Sequence, residues 1–294
     1  MPDGRIATQE TFKVLIWTLC GMSITFLATR LFIRLSQKEP LKKSDYLLLL
    51  ALPSLFSGSA LLCSTLDALY DLSDAGSKAD RNHAWDATAA SRLTASIELL
   101  WITIYCVKAP FLLQFKFHKP PFSLVSANVT RHYWATLGTC IASFLCTLAL
   151  LPILCSPSRC RYFEAFSANA RALEISLVAI DIVTDLAIIS IPVVLICMAN
   201  FTLLRAALNA VFKSLSVFVV AVAVTRLAFL CGRRSQNDQT ATILWLIVEA
   251  NVAIVAASVS SYRVVVLDYM CRRQVQQESV AREGAWELLN WWRS

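Results

Sequence analysis

Charge is what this sequence has least of. Only 16% of its 294 residues are Asp, Glu, Lys or Arg, while 57% are hydrophobic. A soluble domain carries about 25% charged residues, so there is too little charge here to cover a soluble surface. Glycine and proline are also scarce, at 7 and 9, which leaves no long flexible linker and implies one compact unit. The three histidines, His83, His118 and His132, are far apart in sequence. No Cys-x-x-Cys or Cys/His zinc spacing occurs, so no metal site is expected. Most of the ten cysteines lie inside apolar runs (Cys20, Cys106, Cys140, Cys146, Cys197), where a thiol behaves as a small buried hydrophobe. The formal charge of +7 points to Lys and Arg that flank membrane spans and face anionic headgroups, not to nucleic acid.

What the chain does have is long apolar runs. A membrane span needs about 20 mostly apolar residues. Seven runs qualify or nearly so: Phe12–Phe32, Tyr46–Leu66, Leu93–Phe115, Tyr133–Cys155, Ile175–Met198, Ala210–Leu230 and Ala241–Tyr262. The fold expected is therefore all-α, a seven-transmembrane helix bundle and a multi-pass membrane protein whose first partner is the lipid bilayer. Residues 1–11 form a short outer N-terminus, 12–263 the membrane domain and 264–294 a cytoplasmic tail. The first run is longer than a signal-peptide core and no small-residue cleavage site follows it, so it reads as an anchor. The longest link, Asp67–Arg92, is acidic and turn-rich and reads as an outer loop.

Basic residues orient the bundle. With the N-terminus outside and the C-terminus cytoplasmic, 15 Lys and Arg fall on the inner side and 10 on the outer. The cluster Arg30, Arg34, Lys38, Lys42 and Lys43 casts the strongest vote. Two glycosylation sequons, at Asn128 and Asn200, then lie inside and are expected to stay unused. The tail ends in WELLNWWRS, where Trp286, Leu289 and the Trp291/Trp292 pair share one helical side. An interfacial helix is one reading; a partner-binding or unstructured tail is the other.

Charges within spans are costly and are functional candidates by default. Glu98, Asp181, Glu249 and Arg226 count to depths within roughly 6 Å of each other, at 1.5 Å rise per residue. Asp185 lies one turn below Asp181, and Lys108 lower again. Arg226 is expected to pair with Glu249 or Asp181 and Lys108 with Asp185, with Asn251 and Thr184 joining. Such a set either lines an outward-facing site or fixes helix register without any ligand. Pro110 and Pro192 interrupt spans three and five and either open a cavity or are tolerated structurally. Cys155 and Cys160, at an outer loop, are disulfide candidates with each other or with Cys63 or Cys231. Ser54, Ser57, Gly58 and Ser59 form a small-residue patch suited to close helix packing.

Four segments, in order, resemble the fungal rhodopsin-domain family. RLFIRL followed by KKSDYLLLLAL is similar to its first loop, where Asp45 and Tyr46 open span two. IELLWITIYCVKAPFLLQF is similar to its span three, with Glu98 and Lys108. AIDIVTDLAIISIPVVLI, with Asp181, Thr184, Asp185 and Pro192, resembles span five. VTRLAFL and IVEANVAIVAASVSSYR resemble spans six and seven, with Arg226, Glu249 and Asn251. The resemblance covers about Arg30 to Arg263. It implies a seven-helix protein that is receptor-like or belongs to a toxin-biosynthesis cluster of the satratoxin kind. The outer loop before span five is poorer in Cys, Gly and Trp than the family's, and no Cys-rich domain precedes span one, which weighs against capture of an extracellular ligand.

Span seven contains no Lys, so no retinal Schiff base is expected and no cofactor is assigned. Span three ends in QFKFHKP, not Asp-Arg-Tyr, and span seven lacks Asn-Pro-x-x-Tyr, so the usual G-protein-coupled receptor marks are missing. No separate catalytic domain or cofactor motif is visible, and no catalytic residue is assigned. The favoured reading is an accessory or small-molecule-sensing protein of specialised-metabolite biosynthesis, with a lipophilic small molecule as ligand and no chemistry of its own. One alternative is a membrane-embedded, terpene-cyclase-like enzyme using Asp181, Asp185 or Glu249 as a buried acid. The others are a receptor for host or surface cues and, last, a transporter, for which no internal repeat is seen.

Overall fold

A computed structural model of the chain describes residues 8–36, 43–74, 87–117, 127–156, 159–160, 168–198, 203–232, 240–259 and 262. Among them are seven long helices: α1 (Gln9–Ser36), α2 (Lys43–Asp74), α3 (Ala87–Phe117), α4 (Ala127–Leu154), α5 (Ala168–Met198), α6 (Leu203–Gly232) and α7 (Thr240–Val259). Five of these, α1–α4 and α7, are long and apolar enough to cross a membrane. At 28 residues, α1 runs about 42 Å, enough for the hydrocarbon core and both headgroup zones. The tail expected as an interfacial helix and the sequon at Asn200 lie outside the described residues.

Six helices extend beyond their apolar runs through polar first or last turns, as suits helix ends that reach a headgroup zone. The expected outer loop is shorter than read: Asp67–Asp74 continues α2, with Leu69 buried, and α3 has begun by Ala87. α1 opens at Thr8, whose hydroxyl caps the Thr11 amide at 3.4 Å. Gln9 then donates to Asp67, and Lys13 stands 3.7 Å from it, joining the start of α1 to the last turns of α2.

Cys155 does not end a helix. Pro157 disfavours helix at Ser156, and Cys155–Ser156 instead pairs antiparallel with Arg159–Cys160, placing Cys155 opposite Cys160 in a two-residue ladder. Their side chains lie outside the described part of the structure.

The bundle is inverted relative to a soluble protein. Large apolar side chains such as Trp17, Phe32, Leu50, Ile141, Leu145, Val183 and Phe218 point outward, while Arg30, Asp45, Lys108, Asp181, Arg226, Glu249 and Asn251 are buried. That distribution suits lipid as the surrounding solvent.

α3 is the hub, packing against α2, α4 and α5. Its seam with α2 closes at Gly58, where Ser96 Oγ donates to the glycine carbonyl at 2.7 Å. A Cβ there would meet Leu99 Cβ at 3.2 Å and the Ser96 carbonyl at 3.3 Å, so the missing side chain is what lets the helices approach. Of the rest of the small-residue patch, only Ser59 packs inward, 3.4 Å from Cys20 Sγ on α1. Ser57 is exposed, and the Ser54 hydroxyl turns back to the Leu50 carbonyl. α7 returns to α1: Ser23 Oγ donates to Asn251 Oδ1 at 2.7 Å, and the Tyr262 hydroxyl donates to the Phe26 carbonyl at 3.0 Å.

Candidate functional site: a buried charge cluster

Charged side chains from four helices meet between α3, α5, α6 and α7. Lys108 lies two residues before Pro110 on α3 and is 5% exposed. Its ammonium donates to Asp181 Oδ1 at 2.8 Å, to the Asp181 carbonyl at 3.1 Å and to Thr184 Oγ1 at 3.0 Å. It also pairs with Asp185 Oδ1 at 2.7 Å. Asp181, Thr184 and Asp185 fall at i, i+3 and i+4 of α5 and so share one helical face. A single ammonium therefore reaches all three.

Arg226 of α6 extends this set to α7. Its Nη1 is 2.9 Å from Glu249 Oε2 and its Nη2 is 3.9 Å from Asp181 Oδ2. The guanidinium carbon lies 4.7 Å from the ring centroid of Trp101, and Lys108 Nζ is 5.4 Å from that of Tyr105. Trp101, Tyr105 and Lys108 sit at i, i+4 and i+7 of α3, one stripe in which two aromatic faces cover the two cations. The sequence reading missed both aromatics, although their helical spacing from Lys108 was the signal for them.

The expected pairs form, and Lys108 additionally bonds Asp181. Two candidates stand apart. Glu98 is half-buried and has no ion-pair partner among the described residues. Asn251 is buried but turns to α1. Depth along an axis is readable from a sequence, whereas the direction a side chain takes around the bundle is not.

The cluster's hydrogen bonding is incomplete. Asp181 Oδ2, Asp185 Oδ2, both Glu249 oxygens, and Arg226 Nε and Nη2 are buried without a hydrogen-bond partner. Beside them is a cavity of about 40 Å³ lined by Lys108, Asp185, Glu249, Ile104, Phe111 and Ile188 among others. Oxygens of the three acids lie within 4.8 Å of one another, close enough to share one ion. The Lys108 ammonium already stands among them, however, and disfavours a second cation.

A second charge cluster, which the sequence reading counted as membrane-flanking, is also buried. Arg30 Nη2 meets Asp45 Oδ1 at 2.7 Å, and Arg34 Nη1 meets Asp45 Oδ2 at 3.1 Å. Arg30 Nη1 also donates to the Ala257 carbonyl of α7 at 2.6 Å. Arg30 falls inside the apolar run Phe12–Phe32, and that position was the signal that it is a span residue.

The profile of the fungal rhodopsin domain matches residues 29–267. The chain belongs to the fungal rhodopsin domain family. The matched segment contains both charge clusters. No curated protein and no solved structure matches the chain. Despite the family's name, the residues present do not fit a retinal. α7 carries no lysine, the buried Lys108 is engaged by four oxygens, and the adjoining space of about 40 Å³ is far below the roughly 300 Å³ or more of a ligand pocket.

Proposed function

We propose that this fungal rhodopsin domain protein is a non-enzymatic, small-molecule-responsive membrane protein, an accessory or sensing component of specialised-metabolite production. Its N-terminus faces outward and its tail inward, by the bias of basic residues. One membrane domain, 12–263, carries the function. The observation that carries this reading is the cluster joining α3, α5, α6 and α7, in which strong ion pairs coexist with unsatisfied oxygens and nitrogens. A half-satisfied buried network is costly, and it gains most from a second arrangement that a bound ligand stabilises. A lipophilic molecule dissolved in the bilayer has direct access to the helix faces around it. The metabolite setting rests on the resemblance to toxin-cluster members of the family.

A catalytic role for the two aspartates fits less well. Asp181 and Asp185 are held by Lys108 at 2.8 and 2.7 Å, so neither is a free acid facing a substrate. The test is the metabolite and transcript profile of a strain lacking the gene, rescued by wild type or by Asp181→Asn with Glu249→Gln. The expected result is a changed yield of one product class without a stalled precursor, and no rescue by the double variant at normal protein level. Accumulation of one defined precursor would make the protein an enzyme and defeat the proposal. Unchanged metabolites with a broad transcript shift would make it a receptor for external cues.

A further inference from the structure

The charges in the main cluster do not balance. Lys108 and Arg226 bring two positive charges, while Asp181, Asp185 and Glu249 bring three negative ones. All five are buried, and a surplus charge inside a membrane bundle is strongly disfavoured. One more positive charge would balance the cluster, and the geometry narrows where it sits. Asp181 faces both cations, and Asp185 holds the ammonium at 2.7 Å. Glu249 has Arg226 alone, at 2.9 Å, with neither of its oxygens receiving a hydrogen bond from it.

Asp181 Oδ2 likewise has no donor, yet a carboxyl oxygen of Asp181 and one of Glu249 lie within 4.8 Å of each other. Two carboxylates repel each other at that range, whereas a carboxylic acid and a carboxylate attract. We propose that the cluster is a proton-binding site: Glu249 carries one proton and donates it to Asp181 Oδ2, which leaves the five-group cluster neutral. The proton comes from water and returns to it. The cavity beside Glu249 is large enough for water, and the unpartnered Asp185 Oδ2 on its wall is an acceptor on the way. Among the described residues the charged groups around Glu249 are Lys108 on α3, Asp181 and Asp185 on α5, and Arg226 on α6; Glu174 of α5 shares a smaller space with Arg226. A metal cation would serve the same charge count, but Lys108 lines the cavity it would enter. The proposal holds whether or not the protein senses a metabolite.

Infrared difference spectroscopy of the full chain in lipid nanodiscs tests it. At neutral pH the wild type should show the carbonyl stretch of one protonated, slowly exchanging carboxylic acid, shifted in D₂O. Glu249→Gln should lose that band, and Glu98→Gln, outside the cluster, should keep it. No band in the wild type, a band that survives Glu249→Gln, or one that vanishes in Glu98→Gln would each overturn the proposal. If Glu249→Gln does not fold, Glu249→Asp takes its place: the band should persist at a shifted frequency, and an unshifted band would overturn the proposal. Absence of the band together with thermal stabilisation by sodium over choline would assign the missing charge to a metal ion instead.

Discussion

Replacing Lys108 with methionine would remove one charge and keep most of the side chain's volume. Four oxygens lose the ammonium as a donor: Asp181 Oδ1, the Asp181 carbonyl, Thr184 Oγ1 and Asp185 Oδ1, now 2.7 to 3.1 Å away. Thr184 Oγ1 keeps its own bond to the Asp181 carbonyl at 2.7 Å, so most of the loss falls on the two aspartates. Hydrogen bonds between membrane helices average only about 0.6 kcal/mol. Removing one partner of a buried ion pair costs about 3–5 kcal/mol, because the other charge is left uncompensated. The second effect dominates, and Lys108→Met should destabilise the bundle by about 3 kcal/mol, more than 100-fold in the folding equilibrium. Asp185→Asn in the same background removes one stranded charge, so the double variant should cost at least about 1 kcal/mol less than the sum of the two single effects. Reversible unfolding in bicelles measures both quantities. A cost below about 0.5 kcal/mol for Lys108→Met, or strict additivity in the double variant, would refute the claim that this ammonium holds the aspartates together.

Three other outcomes are expected. Gly58→Leu forces a side chain against Leu99 and the Ser96 carbonyl, 3.2 and 3.3 Å from the first added carbon, and should cost about 1–3 kcal/mol; Gly21→Leu, with nothing within 4 Å, should be nearly neutral in the same unfolding assay. Asp45→Leu leaves Arg30 and Arg34 buried without a counter-charge and should cost about 3–5 kcal/mol, whereas Arg30→Leu/Arg34→Leu/Asp45→Leu should recover much of that, as apolar replacement of whole buried ion clusters does elsewhere; a triple variant no better than the single one, by thermal aggregation in detergent, would count against charge burial as the cause. Asn128 and Asn200 should carry no glycan when the protein is made in a eukaryotic host, and a mobility shift on endoglycosidase treatment would invert the proposed orientation.

Sequence and structure agree best where a single physical rule acts. The spans were legible because a bilayer demands about 20 apolar residues whatever the fold. Their ends were not, since polar turns in the headgroup zone look like loop, as at Asp67–Asp74. The pairing of Lys108 with Asp185, and of Arg226 with Glu249 or Asp181, followed from depth. The rest of the site needed angular information. Glu98 shares a depth with the cluster yet stands apart, and Asn251 shares a helix with Glu249 yet serves the seam with α1. Arg30 was hidden by the same basic residues that orient the chain, because a positive charge near a span end has two meanings and only packing separates them.

The Arg30–Asp45 pair also bears on how the chain enters its membrane. A lone arginine costs an inserting helix about 2.5–3.5 kcal/mol at its centre and less towards its end, where Arg30 lies. The residue that neutralises Arg30 belongs to the very next helix, 15 positions on, while its other acceptor, the Ala257 carbonyl, belongs to the last. Arg30 therefore meets its counter-charge as soon as α2 is synthesised, although Arg34 on the same carboxylate leaves the trio one positive charge in excess, and the remaining guanidinium nitrogen of Arg30 waits for α7. When α7 arrives it finds a donor already fixed in place, so the final helix is docked by a bond whose other half was laid down at the start of translation.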